Sequence, residues 1–461
     1  MQIMEHTAHI SQGTTLFFGA LLASMILALA LEEKIHAKKS IIVGTFAIFC
    51  LLIASGLGII PFGDIILPGG HKLHMPVYIE AVDWEVIAII IGSSLFVDVT
   101  SRSGLFSWVA IKLTKISGGD PLKLLWAYGL MTVVFSAVLN NVTAMIIVGS
   151  LTAVSLNKLK HTNKLLGFLL IEGLLTNVGG LLTLISSVPN IIVGNTAGIT
   201  FTEFFLKASP YVFVATAATL LLGARLFDIH PIRLDQEKKE AGELVKSFDE
   251  KDSIASRGFF IFAAVLLVVF IGMIAATSIT PVIKDLGLGF VAMSFAIIVL
   301  IRFKHEVDPF YRAIDWDLIL FFIFLFVIIN VMEHARVLEL IGKGVGHLIG
   351  KDGQGKSGLV SLLLASSVFS SVTDNIPLSA MLAKILSAQG ISGDSSLWWS
   401  VIFGANLGGN ITPIGSASTL VAVTIIHKHE LSLSFLGFIK KALPFALMQI
   451  ALAVCYLLLL H

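Results

Sequence analysis

The sequence predicts an all-α protein that crosses a lipid bilayer many times. Of its 461 residues, 56% are hydrophobic and only 13% are charged, whereas soluble domains carry about 25% charged residues. Apolar runs recur along the whole chain, and several approach the roughly 20 residues that a spanning helix needs. A soluble multidomain protein is excluded, because so few polar residues cannot cover its surface.

The charge balance and the cysteines exclude further classes. A net charge of +1 leaves no basic surface of the kind that binds nucleic acid. Cys50 and Cys455 lie far apart in apolar runs, so we expect neither a disulfide framework nor a metal site, and no cofactor. No Lys or Arg precedes the first apolar run, which argues against a cleaved signal peptide and predicts that this run is a true span.

Two kinds of apolar stretch alternate along the chain. Single spans are predicted at 14–31, 40–60, 85–100, 209–227, 258–278, 286–303, 316–332 and 442–460. Four other stretches, at 122–156, 164–198, 358–388 and 397–427, are interrupted near the middle by Asn, Gly, Pro, Ser or Thr. Placing the Lys and Arg clusters in the cytoplasm makes 122–156 and 358–388 re-entrant hairpins and makes 164–198 and 397–427 discontinuous helices. Both termini then lie outside.

Three segments of the first half recur in the same order in the second half. FSAVLNNVTAM (135–145) aligns with FSSVTDNIPLS (369–379), TNVGGLLTLISSVPN (176–190) with ANLGGNITPIGSAST (405–419), and Asp83-Trp84 with Asp315-Trp316. The offsets of 234, 229 and 232 residues indicate an internal duplication, and the threading inverts one copy. Inverted repeats with broken helices at corresponding positions are typical of secondary transporters, with the site at the repeat interface. The alternative is convergent use of small residues for helix packing.

This interpretation divides the chain into five segments. They are N-terminal scaffold spans (1–82), repeat 1 (83–228), a cytoplasmic loop (229–257), scaffold spans (258–314) and repeat 2 (315–461).

The breaks predict a shared polar chamber, because non-helical backbone survives in a bilayer only where it is buried in protein or lines a cavity. Asn, Ser and Thr side chains there supply hydrogen-bond donors and acceptors, although each one has the alternative role of a cap for broken backbone. The candidate substrate-binding residues are Asn140, Asn141, Thr143, Asn177, Ser186, Ser187 and Asn190 in repeat 1, and Asn375, Asn406, Asn410, Thr412, Ser416, Ser418 and Thr419 in repeat 2.

Three carboxylates are candidates for proton coupling. Asp374 stands at the second hairpin tip, and an ionisable group deep in a membrane is a functional candidate by default. Burial favours its neutral form, which makes reversible protonation feasible. Glu172 and Asp98 are weaker candidates, since each has a structural alternative. No Lys or Arg lies at the breaks.

One motif of soluble proteins occurs in the chain. Residues 350–357, GKDGQGKS, fit the P-loop pattern, which requires a preceding buried strand and a following helix. A strand is not expected there, so we interpret the match as coincidence. Without paired catalytic residues, an enzyme is not expected.

The motif pairs around the breaks resemble those of the ion-transporter superfamily. The run SVPNIIVGNTAGITFTEFF is most similar to the branch of arsenite/antimonite permeases (ArsB-type), sodium/proton antiporters and P-proteins. The resemblance implies a scaffold domain, a transport domain with both hairpins, and elevator-like alternating access. Two departures remove negative charge or rigidity: Asn140-Asn141 stands where many relatives have Asp-Asn, and Ser187-Val188 where they have Asp-Pro.

A chamber of amides and hydroxyls with one acid favours a small neutral solute over a hard cation, which prefers several charged oxygens. We therefore expect proton-coupled efflux of arsenite or antimonite as the neutral hydroxide, across the inner (plasma) membrane. A sodium/proton antiporter is the first alternative, and an anion or organic-acid transporter is the next. The expected partners are a small inorganic substrate, protons and the lipid bilayer, while a homodimer and a soluble ATPase partner stay open.

Overall fold

The computed structural model describes residues 10–60, 64–66, 72–74, 77–254, 256–277, 280–305, 307–350 and 355–460. This part of the chain is a bundle of α-helices with one short antiparallel β-hairpin. Residues 351–354 of the P-loop-like motif lie outside the described residues.

The first half contains eleven helices and the hairpin. They are α1 (Gln12–Ala30), α2 (Glu32–Ile35), α3 (Lys39–Gly56), β1 (Asp64–Ile66), β2 (Lys72–His74), α4 (Val77–Glu80), α5 (Trp84–Ser101), α6 (Leu105–Ser117), α7 (Pro121–Val138), α8 (Asn141–Lys158), α9 (Leu165–Gly179), α10 (Val188–Ala197) and α11 (Phe201–Leu226).

The second half contains eleven more. They are α12 (Asp235–Lys246), α13 (Arg257–Ala276), α14 (Pro281–Arg302), α15 (Asp308–Ala313), α16 (Trp316–His334), α17 (Val337–Ile349), α18 (Lys356–Val372), α19 (Asn375–Ala388), α20 (Ser396–Gly408), α21 (Ala417–Lys428) and α22 (Phe435–Leu460).

Nine of the described helices are long and apolar enough to cross a membrane. Eight of them correspond to the predicted single spans, and the ninth is α7. The predicted starts of α11 and α22 were too late, because both helices continue through an internal proline, Pro210 and Pro444. A polytopic helical membrane protein is therefore confirmed.

Each of the four interrupted stretches forms two helices in the structure. The pairs are α7 with α8, α9 with α10, α18 with α19, and α20 with α21. Two of the connections are short, at 139–140 and 373–374, and two are longer, at 180–187 and 409–416. The interruptions fall where the sequence predicts them, while the path of these helices through a bilayer stays a prediction.

Contacts in three helix pairs show which ends of α3, α5 and α16 meet. At the start of α5, the Leu288 amide of α14 donates to Glu85 Oε1 (3.0 Å), and at its end Arg102 stacks over Phe310 of α15 (4.2 Å). At the start of α3, Ser40 Oγ donates to Asp317 Oδ1 of α16 (2.5 Å). The start of α3, the end of α5 and the start of α16 therefore lie at one end of the bundle.

Gly92 sets the closeness of α5 and α14. A Cβ added there would lie 2.5 Å from the Ala292 carbonyl carbon and 2.6 Å from the Met293 nitrogen, both backbone atoms. We expect Gly92→Ala to destabilise the protein by about 1–3 kcal/mol, because the backbones must separate. Thermal unfolding in detergent measures this. The control is Gly272→Ala in α13, where an added Cβ meets nothing within 4 Å; an equal melting temperature for both variants would contradict the close contact.

The loop between α12 and α13 is tied to α6 by charge. Glu250, in a 3-10 turn at Glu250–Ser253, forms ion pairs with Lys115 and with Lys112. The hydrogen bond from Lys115 holds the pKa of the Glu250 carboxyl below its ordinary value of 4.5.

A lowered folded-state pKa makes the contribution of Glu250 to stability present above pH 4.5 and lost as the pH falls through the folded pKa. We expect Glu250→Gln to lower the melting temperature at neutral pH, and the difference from the wild type to shrink in acid. The exposed Glu243→Gln in α12 is the matched control. A difference that is constant with pH would contradict this prediction.

Candidate functional site

A cavity of about 630 Å³ opens between the breaks and the ends of α3, α5 and α16. Its polar lining is Lys39, Ser94, Asp98, Ser101, Asn140, Asn141, Thr143, Asn177, Ser186, Ser187, Asp315, Asp317, Asn375, Ser416 and Ser418. Most of these side chains are amides or hydroxyls, so the wall offers both donors and acceptors.

The two short connections form capped tips. Leu139 and Asn140 are extended, and Asn140 Oδ1 accepts from the Thr143 amide (2.8 Å) at the start of α8. Thr373 and Asp374 are extended in the same way, and Asp374 Oδ1 accepts from the Ile376 amide (3.0 Å) at the start of α19. An Asn or Asp in this position satisfies an orphan amide of the new helix.

The two longer connections satisfy their backbone with side chains. The Gly180 carbonyl accepts from Ser186 Oγ (2.6 Å) and from Asn190 Nδ2 (2.6 Å). In the second copy, Thr419 Oγ1 donates to the Pro413 carbonyl (3.1 Å). Corresponding threonines tie these loops to the tips, since Thr183 Oγ1 donates to the Ala137 carbonyl and Thr412 Oγ1 to the Ser371 carbonyl.

The two copies exchange hydrogen bonds at the centre. Ser187 Oγ donates to Asn406 Oδ1 (2.8 Å), and Asn177 Nδ2 donates to Ser416 Oγ (2.9 Å). These are the same pair of aligned positions with the repeats interchanged. Asn177 also donates to Asn410 Oδ1 (2.8 Å). The four breaks are therefore one hydrogen-bonded unit.

Gln449 belongs to this unit and sequence analysis missed it. It is fully buried; its Oε1 accepts from Asn410 Nδ2 (2.8 Å) and its Nε2 donates to Thr219 Oγ1 (2.9 Å). The available signal was a lone amide in the last apolar run, ALMQIALAV.

Lys39 brings a positive charge to the second tip. Its Nζ lies 2.6 Å from Asp374 Oδ2, and both side chains are largely buried, at 27% and 13% exposure. Although no Lys or Arg stands at the breaks in the sequence, the fold places the first residue of α3 there. Lys39 and Asp374 are 335 residues apart in the sequence, so no local pattern predicts their contact. The one available signal was that Lys39 stands at the end of a span.

The expectation of one acid at the chamber is wrong. Asp98, Asp315 and Asp317 line the cavity, whereas the expected acid, Asp374, does not. Asp98 pairs with Arg102 (3.2 Å), Asp315 Oδ1 accepts from the Leu318 amide (3.0 Å), and Asp317 accepts from Ser40. These carboxylates lie at helix ends. In the sequence analysis, Asp98 is a weaker coupling candidate, Asp315 is used only in the repeat alignment and Asp317 is not singled out.

Seven of the predicted substrate-binding and coupling residues do not line the cavity. Asn190, Asn406, Asn410, Thr412 and Thr419 lie behind its wall in the network, and Asp374 reaches the cavity through Lys39. Glu172 is also away from it: fully buried in α9, it accepts from Thr152 Oγ1 (2.7 Å). Within the described residues, its Oε2 has no hydrogen-bond partner.

The central network predicts a stability effect at Asn177. We expect Asn177→Ala to destabilise the protein by about 1–3 kcal/mol for each buried partner left unpaired. The drop in melting temperature is compared with that of Asn157→Ala, whose side chain is exposed near the end of α8. An Asn177 variant as stable as the Asn157 variant would show that the hydrogen-bonded unit does not hold the breaks together.

Comparisons with known proteins agree with this architecture. A solved structure, the YdaH transporter of Alcanivorax borkumensis, superposes with a TM-score of 0.60, covering 91% of this chain and 98% of that one, at 13% identity. The likeness shows that the two chains share a fold. The P protein of Mus musculus is 25% identical to this chain, and the match covers 96% of this chain and 62% of the P protein.

Closer sequence relatives extend the match. The "46 kDa membrane protein" of Mycobacterium leprae is 32% identical over 382 residues, which is 82% of this chain and 86% of that protein. Residues 26–404 match the sequence profile of the family CitMHS, described as citrate transporter. The resemblance to the ion-transporter superfamily and its P proteins is thereby supported, while the arsenite/antimonite branch stays a prediction. The chain is a multi-pass membrane protein that belongs to the CitMHS transporter family.

Proposed function

We propose that the protein is a proton-coupled secondary transporter, and not an enzyme, that exports arsenite or antimonite as the neutral hydroxide across the plasma membrane. The observation that carries the proposal is the wall formed by the four breaks. Within the described residues, the polar side chains of this wall are amides and hydroxyls, and they both donate and accept hydrogen bonds. An uncharged solute with three hydroxyl groups matches such a wall without a charge to neutralise.

The proposed architecture is an inverted repeat. Helices α5 and α16 begin with the same Asp-Trp pair, yet it is the end of α5 and the start of α16 that line the cavity. Trp84 Nε1 donates to the Ile79 carbonyl and Trp316 Nε1 to the Tyr311 carbonyl, the same five-residue step in each copy. Opposite directions for matching helices support the segments 83–228 and 315–461 as inverted copies.

The re-entrant hairpins follow from this arrangement. In an inverted repeat α7–α8 and α18–α19 enter from opposite faces, and their tips at Asn140 and Asp374 meet the broken helices near the middle. Each tip is capped by its own side chain, as a turn inside a bilayer requires. The cavity opens beside Lys39 and Asp98, the helix ends that the positive-inside rule places in the cytoplasm.

Asp374 is the proposed coupling residue. It is the ionisable group of the two tips, and one of its oxygens caps α19 while the other pairs with Lys39. Asp98 lines the cavity mouth and is a second protonatable group there. Glu172 is enclosed away from the cavity, so its proposed role is the weakest of the three.

A sodium/proton antiporter is the second candidate, and a specific observation favours it. Asp98, Asp315 and Asp317 line the cavity, and hard cations bind carboxylate oxygens. We rank it second because Arg102, Ser40 and backbone amides already occupy these carboxylates. Citrate, which the family description names, ranks third. Three carboxylates at the cavity repel a tricarboxylate, and the lysine there is already paired with Asp374.

Transport into everted membrane vesicles with an acidic interior tests the proposal. We expect wild type to accumulate labelled arsenite, and Asp374→Asn to lower gradient-driven accumulation at least tenfold, because the neutral amide cannot exchange a proton. Asp394→Asn, an exposed acid between α19 and α20, is the matched control.

The same vesicles sort the three candidates. Dissipation of the pH gradient by sodium, without arsenite uptake, would favour the antiporter. Gradient-driven uptake of citrate would favour the organic-acid transporter. Full accumulation by the Asp374→Asn variant would overturn the coupling role.

A further inference from the structure

We propose that Lys39 is a positioning residue that holds the deprotonated Asp374 carboxylate in place and so stops the empty, unprotonated carrier from changing its exposure. The inference rests on the proposed function and deepens it: it assigns the contact that makes proton movement obligatory. Nothing in the repeat pattern points to Lys39, which lies outside both copies.

The ion pair joins two parts of the molecule that must separate in an elevator-like movement. Lys39 is the first residue of α3, and α3 packs along α16. Asp374 is the tip between α18 and α19, which pack against α20 and α10. A Nζ–Oδ2 distance of 2.6 Å is that of a direct, charge-assisted hydrogen bond. Displacement of the tip relative to α3 breaks it.

The surroundings keep Lys39 charged. Its Nζ also lies 3.8 Å from Glu32 Oε1, and Asp317 is anchored next to it by Ser40. Helices α10 and α20 carry no charged residue, and the charges of α17 lie with Lys384 at the other end of α19. Lys39 therefore faces carboxylates from three elements, so it serves as a fixed ammonium and not as the exchanged proton.

The consequence is a rule for movement. Withdrawing a charged Asp374 from Lys39 leaves an unpaired carboxylate in a medium of low polarity, which is strongly unfavourable. A proton on Asp374 removes that charge. A hydroxide solute that takes the place of Lys39 at Oδ2 removes the need for the lysine, because it donates its own O–H groups to the carboxylate. The tip at Asp374 therefore moves either with a bound solute or with a proton. A carrier that alternates between these two movements exchanges solute for proton.

Substituting Lys39 should therefore uncouple the two movements. In Lys39→Gln the empty carrier returns without a proton, so exchange of labelled for unlabelled arsenite persists while uphill accumulation is lost. With the membrane potential clamped, one proton per solute supports about tenfold accumulation per pH unit in wild type. We expect a ratio near one in Lys39→Gln.

Two variants sharpen the assay. Lys39→Arg keeps a cation at the tip and is expected to retain accumulation. Lys38→Gln removes the neighbouring exposed lysine and is expected to accumulate like wild type. Accumulation by Lys39→Gln equal to that of Lys38→Gln would overturn the inference, as would equal losses of exchange and accumulation.

A measurement without substrate separates this inference from the proposed function. In detergent, Lys39→Gln and Asp374→Asn should each lower the melting temperature, and the double variant should lose less than the two losses combined, because no charge is then left unpaired. Strict additivity would overturn the pairing. If the wild type moves no arsenite but the melting temperatures of the variants are non-additive, the proposed substrate is rejected. The ion pair between Lys39 and Asp374 is then still supported.

Discussion

Every backbone group freed where these helices break must find a partner inside the protein, because lipid offers none. The chain meets this constraint with short polar side chains from both copies. Ser186 and Asn190 occupy the carbonyl of Gly180, and Thr183 and Thr412 tie the loops to the tips. The side chains that satisfy the free backbone groups at the breaks thus also line or support the polar cavity. The same requirement for hydrogen-bond partners therefore shapes both the fold and the site.

Local chemistry explains which parts were predictable from sequence. Breaks at Asn, Gly and Pro, capped tips at Asn140 and Asp374, and the spans all depend on neighbours within a few residues, and the structure has them. Lys39 and Gln449 reach the network from helices far away in the chain. Their approach depends on helix packing, which no local pattern encodes. The predicted number of acids at the cavity was wrong for the same reason. Asp98 lies near the end of α5 and Asp315 caps the start of α16, and only the fold brings these two helix ends together.

The two aligned tips differ at their capping position. Asn140 and Asp374 hold the same capping position, and one side-chain oxygen suffices for that. An amide has an NH₂ group where a carboxylate has a second acceptor oxygen. Asp374 uses this oxygen for Lys39, whereas among the described residues Asn140 accepts only from the Thr143 amide at the start of α8. A single substitution in one copy is enough to turn a structural cap into a charged contact between two parts of the molecule.

The placement of charge supports the proposed neutral solute. Lys39 and Asp374 neutralise each other at the tip, and Asp98 is paired with Arg102. Asp315 and Asp317 remain near the cavity mouth, bonded to neutral groups, so an approaching anion is repelled there. The breaks beyond them carry amides and hydroxyls, which give a desolvated cation less than charged oxygens do. A neutral hydroxylated molecule meets neither penalty, and its O–H groups are the donors that a carboxylate leaving Lys39 requires.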